Sequence, residues 1–459
     1  MALSTKEYVV MGKARVIHFV LGNVQTDARV RKSGRALRDL GYEVIYVGEL
    51  RDPVLQQKRF FRSEDIDDCP HYQINDGRRI YDTAITHLNQ LNPLHIPHQK
   101  IKTSIWRALR ENGAKPLDRI QALSLVPAYA TCLATRGIRP GDIWDRLHGF
   151  QTRAARIASE LMNLKPDLIH AHDLDAFALI APFCKANGVK LIYDSHELER
   201  GRNAPRWTEQ QRAEHTALEQ NSIGRADAVI TVSQSIGEIL KKTYSIPAPI
   251  IVPNSPPRAN VRENTPLRVR LGLTDDHKVL LYLGGIMPGR GLETLFEILP
   301  DLPDTVHLAF IGYPVRIFEQ GFEDMLSRAG SIRHRIHLLG RKPYEDVIYE
   351  AYGADLGYNA IELTCESYEN ALPNKFFEYV FANIPVISTP QADVVNLTRD
   401  FRLGEIVPDR DRAALTSTIK KMLFEAPHKI EAEKRVRFMD EYCWEKQSHK
   451  LERLYSDLL

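Results

Sequence analysis

Short apolar runs alternate with stretches of helical spacing along most of this chain. An apolar run from Arg15 to Leu21 ends at Gly22 and Asn23, and a helically spaced stretch follows from Asp27 to Leu40. A second apolar run then covers Glu43 to Gly48. Apolar strands that alternate with helices are typical of a parallel sheet with crossover helices. The beginning of the chain therefore predicts an α/β fold.

The alternation is interrupted between residues 51 and 150 and then resumes. Further strands are predicted at 167–171, 190–194, 228–232 and 250–252 in the first half, and at 279–283, 306–311, 336–338, 356–358 and 384–389 in the second. Between Pro253 and Pro266 the composition turns to Pro, Asn and Arg, which is typical of a linker. We predict two facing, doubly wound Rossmann-like domains with an interdomain cleft. Open α/β sheets bind ligands at the carboxyl ends of their strands, which line such a cleft.

The length of the chain agrees with two domains. At 459 residues it exceeds one ordinary core, and two domains of roughly 200 residues are expected. We assign residues 1–256 to the N-terminal domain, with a partly helical insert at 51–150. Residues 257–432 form the predicted C-terminal domain, and 433–459 form a C-terminal helix that packs back on the N-terminal domain.

The composition argues against several classes of protein. A net charge of +2 favours no nucleic acid partner. The longest apolar run, Val279 to Met287, is far shorter than the ~18 residues of a membrane span, and the first residues lack the apolar core of a secretion signal. Five scattered cysteines include no close pair for zinc or redox chemistry. We therefore expect a cytoplasmic protein with free thiols.

The stretch 370–387 carries a phosphate signal. Pro373 suits the first turn of a helix, and Asn374 and Lys375 then place an amide and a cation beside unpaired N–H groups. A helix N-terminus with an ammonium group attracts phosphate. Glu378 lies near the same face, where its carboxylate suits ribose hydroxyls, so the stretch predicts a nucleotide site. An ordinary amphipathic helix with solvated Lys375 and Glu378 is the alternative.

A glycine-rich loop follows the first strand of the second half. Gly284 and Gly285 allow a ligand to approach the backbone closely, and Arg290 at the next helix start is able to pair bidentately with phosphate. The loop is neither a Walker loop nor GxGxxG, so it favours neither an NTPase nor a dinucleotide enzyme. A turn that needs glycine only for its geometry is the alternative.

Polar residues also end two strands of the first half. His170, His172 and Asp173 end one strand, and His196 follows another. Two histidines with an aspartate suggest a metal site. We expect at least one of these histidines to be structural, because their strand is buried on both faces. The DxD triplet at Asp173 and Asp175 is common by chance, so we predict no metal.

The motifs together resemble one family. They are DARVRKSGRALRDLGYEV, HAHD, YDSHE, ADAVITVS and VPNS in the first half, followed by LYLGGIMPGRGLETL, PNKFFEYVFANIPVIST and the final helix from Trp444 to Tyr455. Their order and spacing are similar to those of retaining, nucleotide-sugar-dependent glycosyltransferases of family 4, which have the GT-B fold. Residues 51–150 fall outside the resemblance.

The resemblance implies roles for particular residues on the donor side. Arg290 and Lys375 match the cations that face the donor diphosphate, and Glu378 matches the carboxylate that holds the ribose. His196 matches the histidine near the donor sugar. With Gly284, Gly285 and Asn374, the residues Arg290, Lys375 and Glu378 complete the expected nucleotide-sugar site in the C-terminal domain, and His196 belongs to the opposite, N-terminal domain.

On the acceptor side, Gly22 matches the first-loop glycine near the sugar and the acceptor. Its neighbour Asn23, together with His172 and Asp173, completes the expected acceptor side in the N-terminal domain. Two positions depart from the family pattern. Asn370 replaces a glutamate that contacts the transferred sugar, and Gly285 replaces an arginine of the first phosphate loop.

The resemblance implies transfer of a sugar with retention from a nucleoside diphosphate sugar to a hydroxyl acceptor, without a metal or other cofactor. The expected acceptor is a glycan or a lipid-linked molecule of cell-envelope or exopolysaccharide synthesis. A nucleotide-sugar epimerase of the same fold is one alternative. A catalytically silent nucleotide-binding partner of another transferase is a second, which Asn370 and Gly285 favour and the retained Arg290, Lys375 and Glu378 oppose.

The insert carries a basic amphipathic segment. In 100–112, Ile101, Ile105, Trp106 and Leu109 lie on one side of a helical repeat among basic residues. Such a helix is able to lie on an anionic membrane, so we predict peripheral contact with the inner face of the membrane. Packing against its own domain is the alternative.

Overall fold

The computed structural model of this protein describes residues 14–49, 60–74, 154–204 and 207–459. Most of the insert 51–150 lies outside the described residues, and so does the basic segment predicted at 100–112. The chain divides into two compact units. They comprise residues 1–194 with 204–227, and residues 195–203 with 228–459.

The first sheet has eight strands, and the order of strands and helices follows the predicted alternation. The elements are β1 (Arg15–Val20), α1 (Ala28–Asp39), β2 (Glu43–Glu49), β3 (Phe60–Arg62), β4 (His71–Ile74), α2 (154–163), β5 (Leu168–His172), α3 (Asp173–Asn187), β6 (Lys190–Ser195), α4 (Glu209–Ser222), β7 (Ala228–Thr231), α5 (Gln234–Tyr244) and β8 (Ile250–Ile251). Their order in the sheet is β3-β4-β2-β1-β5-β6-β7-β8. Strands β4, β2, β1, β5 and β6 are parallel, whereas β3 runs antiparallel to β4 at the edge. The sequence pattern did not predict β3.

The second sheet has six strands, all parallel, in the order β11-β10-β9-β12-β13-β14. The elements are α6 (Leu267–Arg270), β9 (Lys278–Leu283), α7 (Leu292–Ile298), β10 (Val306–Ile311), α8 (Glu319–Arg328), β11 (Ile336–Leu338), α9 (Val347–Ala351), β12 (Leu356–Asn359), α10 (Glu366–Glu369), α11 (Asn374–Phe381), β13 (Val386–Ser388), α12 (Ala392–Phe401), β14 (Gly404–Ile406), α13 (Arg412–Lys420), α14 (Ala432–Tyr442) and α15 (Trp444–Leu458). The prediction of two doubly wound parallel-sheet domains is confirmed.

Helix α11 is fixed in the core of the second unit by its aromatic residues. Phe376, Phe377 and Tyr379 are fully buried. The Tyr379 hydroxyl accepts a hydrogen bond from the Leu283 N–H (2.9 Å), and it lies 2.9 Å from the Leu281 carbonyl oxygen. Because these bonds join α11 to the end of β9, they hold the start of the helix beside the glycine loop that follows this strand.

Two helices end the chain where the sequence predicted one. The Trp444 N–H donates to the Pro256 carbonyl (2.9 Å), and Lys450 Nζ donates to the Ile251 carbonyl in β8 (2.8 Å). The last helix is therefore joined to the segment that follows α5. No helix in the described part of the chain has the length and the hydropathy needed to cross a membrane.

Candidate functional site

The predicted helix start in the second unit is an open helix N-terminus. Pro373 has extended backbone angles (φ −69°, ψ 141°) and occupies the capping position just before α11, one residue earlier than the first turn. No side chain caps this end of the helix, and Asn374 is exposed. The first N–H groups of α11 therefore remain available to a ligand with negative charge.

Lys375, in the first turn of this helix, is a buried cation without a hydrogen-bond partner among the described residues. Its residue is 7% exposed, and its Nζ lies 4.1 Å from the centre of the Tyr282 ring. Burial lowers the pKa of Lys375 well below its ordinary value, and the nearby charge of Arg290 lowers it further, whereas the carboxylate of Glu378 raises it. A buried ammonium that lacks an acceptor is costly, so an anionic ligand would relieve this cost.

The loop after β9 brings Arg290 to the same site. Gly284 and Gly291 have left-handed backbone angles (φ 108° and φ 70°). A Cβ atom on Gly291 would lie 2.2 Å from the Ala360 carbonyl, so glycine is needed there both for its conformation and for space. The guanidinium of Arg290 lies 4.8 Å from the centre of the Tyr368 ring.

The remaining donor-side residues lie around these two cations. Glu378 is half-buried, one turn after Lys375 in α11. Gly285 follows Gly284, and its carbonyl accepts a hydrogen bond from the Tyr282 hydroxyl (2.7 Å). The side chain of Asn370 donates to the Glu366 carbonyl (2.8 Å) at the end of α10. Asn370 therefore has a local structural partner at the position where a sugar contact was predicted.

Two cations and an open helix N-terminus together form a site whose charge suits an anion such as phosphate. Such groups stabilise negative charge that develops on a leaving phosphate, and their fixed positions keep the reorganisation cost of the reaction small. The second unit therefore has the electrostatics to hold a phosphate group.

A different cluster lies at the carboxyl ends of β1, β5 and β6 in the first unit. Asp194 accepts two hydrogen bonds from Arg29, from Nε (2.8 Å) and from Nη2 (2.7 Å). His170 Nε2 lies 3.2 Å from the same carboxylate, and His172 Nδ1 lies 3.5 Å from it. His18 Nδ1 lies 3.0 Å from His172 Nε2. All five residues are at most 2% exposed.

The three histidines form a hydrogen-bonded network with Asp194, and the stacking of their rings differs from the converging ligands of a zinc site. Nitrogen atoms of His18, His170 and His172 lie within 4.8 Å of one another. However, the rings of His170 and His172 are stacked with centroids 4.3 Å apart and planes only 11° from parallel. Nearly parallel rings direct their in-plane lone pairs side by side, whereas zinc needs ligands that converge on one point. The adjacent guanidinium of Arg29 also disfavours a cation.

Two family models match the chain. The model described as Glycosyltransferase Family 4 matches residues 131–255, and the model described as Glycosyl transferases group 1 matches residues 277–425. Solved glycosyltransferase structures have the same fold. A sucrose-phosphate synthase from Thermosynechococcus elongatus has a TM-score of 0.64 at 17% identity, with 97% of this chain and 99% of that chain covered. This chain has the GT-B fold, and a glycosyltransferase family model matches part of each half.

Further relatives of this GT-B chain are similar over shorter stretches or at low identity. A Bacillus subtilis protein, named as the teichuronic acid biosynthesis glycosyltransferase TuaC, is 24% identical over 56% of this chain and 62% of its own length. An uncharacterized glycosyltransferase of Methanocaldococcus jannaschii is 24% identical over 38% of this chain and 47% of its own length. Both matches thus span less than two thirds of these relatives. The Anabaena protein HepE in complex with UDP-glucose has a TM-score of 0.63 at 13% identity, covering 96% of this chain and 99% of that chain.

The predicted acceptor-side residues of the GT-B chain differ in their surroundings. His172 is fully buried in the histidine network, and the Oδ1 atom of Asn23 accepts a hydrogen bond from the Gln25 N–H (2.9 Å). The Gly22 carbonyl accepts from the Glu49 N–H (2.9 Å). Asp173 begins α3 with a left-handed backbone (φ 63°). His172 thus belongs to the network around Asp194, whereas Gly22 and Asn23 make local backbone contacts in the loop after β1.

Three residues that matter to these sites were not assigned a role from the sequence. Tyr282 and Tyr368 lie beneath the donor-side cations, and Arg29 pairs with Asp194. A tyrosine in an apolar strand resembles any core residue, and one arginine among several in α1 resembles a solvated one. Only the position of Asp194, two residues before His196, offered a signal, because a carboxylate at the end of a buried strand requires a partner.

Proposed function

We propose that this chain transfers a sugar from a nucleoside diphosphate sugar to a hydroxyl group, with retention of configuration at the anomeric carbon. The buried Nζ of Lys375 carries this proposal, because it lies at an open helix N-terminus without a hydrogen-bond partner and near Arg290. A diphosphate carries negative charge, which complements the positive charge of Lys375, Arg290 and the helix N-terminus. The glycosyltransferase models that match both halves of the chain support the same conclusion.

The reaction breaks the bond between the anomeric carbon and the diphosphate oxygen. Arg290, Lys375 and the N-terminus of α11 stabilise the charge that develops on the departing diphosphate. The acceptor hydroxyl bonds to the anomeric carbon from the same face, and its proton passes to the diphosphate oxygen that leaves. No described residue is assigned as a covalent nucleophile. Glu378 holds the ribose, and His196 lies near the donor sugar.

We further propose a UDP-sugar donor and an acceptor of cell-envelope or exopolysaccharide synthesis. HepE, which shares the fold, was solved with UDP-glucose, and the name of TuaC refers to teichuronic acid. Calorimetric titration with UDP-, GDP-, ADP- and dTDP-sugars identifies the donor. Release of UDP that depends on a hydroxyl acceptor, with a product whose anomeric proton shows retention by NMR, supports the proposal. Interconversion of free UDP-sugars without an acceptor would instead identify an epimerase.

The proposed transfer needs no divalent metal, because two cations and a helix terminus already face the diphosphate. Turnover is therefore expected to be unchanged in EDTA. A loss of turnover in EDTA that Mg²⁺ or Mn²⁺ restores would contradict this part of the proposal.

We also propose that segment 100–112 holds the enzyme on the inner face of the membrane, where a lipid-linked acceptor lies. Each basic residue near an anionic surface contributes about 1 kcal/mol, and salt weakens this contribution. The wild-type protein is expected to co-sediment with anionic vesicles at ~50 mM salt, where screening is still weak. A variant with Lys100, Lys102, Arg107 and Arg110 changed to Glu should no longer co-sediment with the vesicles, but it should keep its affinity for nucleotide. Failure of the wild type to co-sediment with anionic vesicles would contradict this proposal and favour packing or an oligomer contact for the insert.

A further inference from the structure

Each of the two cations of the donor site lies over the ring of a tyrosine. Lys375 Nζ is 4.1 Å from the centre of the Tyr282 ring, and Arg290 Cζ is 4.8 Å from the centre of the Tyr368 ring. We propose that Tyr282 and Tyr368 are positioning residues that hold these two cations ready for the donor diphosphate. This inference rests on the proposed function, since it concerns how the same site binds its donor.

The choice of an aromatic partner has a physical reason. A carboxylate in direct contact with Lys375 would neutralise it and compete with phosphate for its hydrogen-bond donors. The face of an aromatic ring attracts a cation through its quadrupole but offers no oxygen that a phosphate must displace. Lys375 Nζ has no hydrogen-bond partner, and Arg290 forms no hydrogen bond or ion pair with the described residues. Both cations therefore keep their donors for a ligand.

The rings themselves are fixed in the second unit. Tyr282 is 1% exposed in β9, and its hydroxyl donates to the Gly285 carbonyl. Tyr368 is 5% exposed in α10, and its hydroxyl accepts from the Asn203 side chain (2.9 Å). A Cβ atom on Gly289 would lie 3.3 Å from the Tyr368 ring, so this ring also packs against the loop that carries Arg290.

Fixed rings matter because the two cations repel each other before the donor binds. Burial lowers the pKa of Lys375, and the nearby charge of Arg290 lowers it further, as expected for two like charges in one site. Without the rings, the long side chains would move apart toward water and would have to be ordered again when the diphosphate binds. Holding a side chain in its bound conformation reduces this cost of binding.

The decisive experiment compares Tyr368→Leu with Tyr368→Phe in binding to UDP and to uridine. Phenylalanine keeps the ring and loses only the bond to Asn203, whereas leucine removes the ring. Because Arg290 is half-buried, between the exposed and the desolvated cases of a cation–π contact, we expect Tyr368→Leu to weaken UDP binding about 5- to 10-fold. Tyr368→Phe should stay within about threefold of the wild type, and the affinity for uridine should not change in either variant.

A double-mutant cycle separates positioning from a general structural effect. In an Arg290→Ala background, Tyr368→Leu should cause no further loss of UDP affinity, because the group that the ring positions is absent. The pair Tyr282→Leu and Tyr282→Phe, in a Lys375→Met background, tests the other ring in the same way. Thermal melts verify that each variant is folded. If Tyr282→Leu does not fold, the Tyr368 variants alone test whether a tyrosine ring positions a cation of the donor site.

Two results would overturn the inference and leave the proposed function standing. One is UDP binding to Tyr368→Leu with wild-type affinity. The other is an equal loss of UDP and uridine affinity, which would make Tyr368 merely structural. If the wild type binds none of UDP, GDP and ADP, the proposed function itself fails and this inference fails with it.

Discussion

Arg29 in the first unit and Lys375 in the second are buried cations that are held in opposite ways. In the first unit, Arg29 is bonded through two nitrogens to Asp194, and the histidine network surrounds the same carboxylate. In the second unit, Lys375 is similarly buried but has a ring beside it and no hydrogen-bond partner. A cation that serves the fold is paired, whereas a cation kept for a ligand remains unpaired at a cost to stability. Opposite responses to mutation should therefore separate the two kinds of site.

The largest effect is expected when the paired cation is removed. Arg29→Ala leaves the carboxylate of Asp194 buried without its main partner, and breaking a buried pair in this way costs ~3–5 kcal/mol of folding free energy. Urea denaturation measures this loss. Arg62→Ala is the control in the same unit, because Arg62 pairs with Asp65 at an exposed position, where such pairs contribute ~0–1 kcal/mol. Equal stability of the two variants would contradict a structural role for the Arg29 pair.

The second largest effect is expected at His196, two residues after Asp194 in the chain. His196→Ala should reduce turnover by about a hundredfold or more, as for loss of a group at a reacting centre, with a smaller effect on nucleotide affinity. Asp194→Asn is the contrasting variant, because it should lower stability instead. Rates of UDP release and calorimetric affinities test the contrast. A His196→Ala enzyme that keeps most of its turnover would make His196 a structural residue.

The third effect is a loss of ligand affinity without a loss of stability, the reverse of the effect expected for Arg29→Ala. Lys375→Met should weaken UDP binding by roughly tenfold or more, because a charge-assisted hydrogen bond contributes ~1.5–3 kcal/mol. It should leave the free energy of unfolding unchanged or higher, because it removes a buried charge that has no hydrogen-bond partner. Calorimetry and urea denaturation on the same sample check both parts. Lys241→Met in α5 serves as the surface control, because Lys241 is exposed, and it should change neither quantity.

Sequence periodicity was sufficient for the fold and for the donor-side signal. The alternation of apolar runs and helical stretches predicted the two sheets because parallel strands are buried on both faces, and Pro373 with Lys375 predicted the start of α11. The edge strand β3 was not predicted, since it lies in the irregular insert. The contacts of Arg29 with Asp194 and of the tyrosines with the cations were also not predicted. They join residues far apart in the chain, and no local pattern records such pairs.

The smallest effect concerns the acid sensitivity of the histidine network. Burial lowers the pKa of His18 well below its ordinary value, and the neighbouring His170 and His172 lower it further, while Asp194 raises it.

In the unfolded chain, His18 titrates near pH 6.5. As the pH falls below this value, the unfolded state binds a proton that the folded state does not, so stability falls with the pH. A full proton difference corresponds to ~1.4 kcal/mol per pH unit. His18→Asn, whose amide is able to replace the Nδ1 contact with His172, should reduce this slope by about one proton between pH 6.5 and pH 5.

His307→Gln is the control in the second unit. Burial, followed by the nearby His337, lowers the pKa of His307 to about 4. That control should also reduce the slope, but it should leave the network around Asp194 intact. Urea denaturation at pH 5, 6 and 7 measures the slopes, and an unchanged slope in His18→Asn would mean that His18 is protonated in the folded protein.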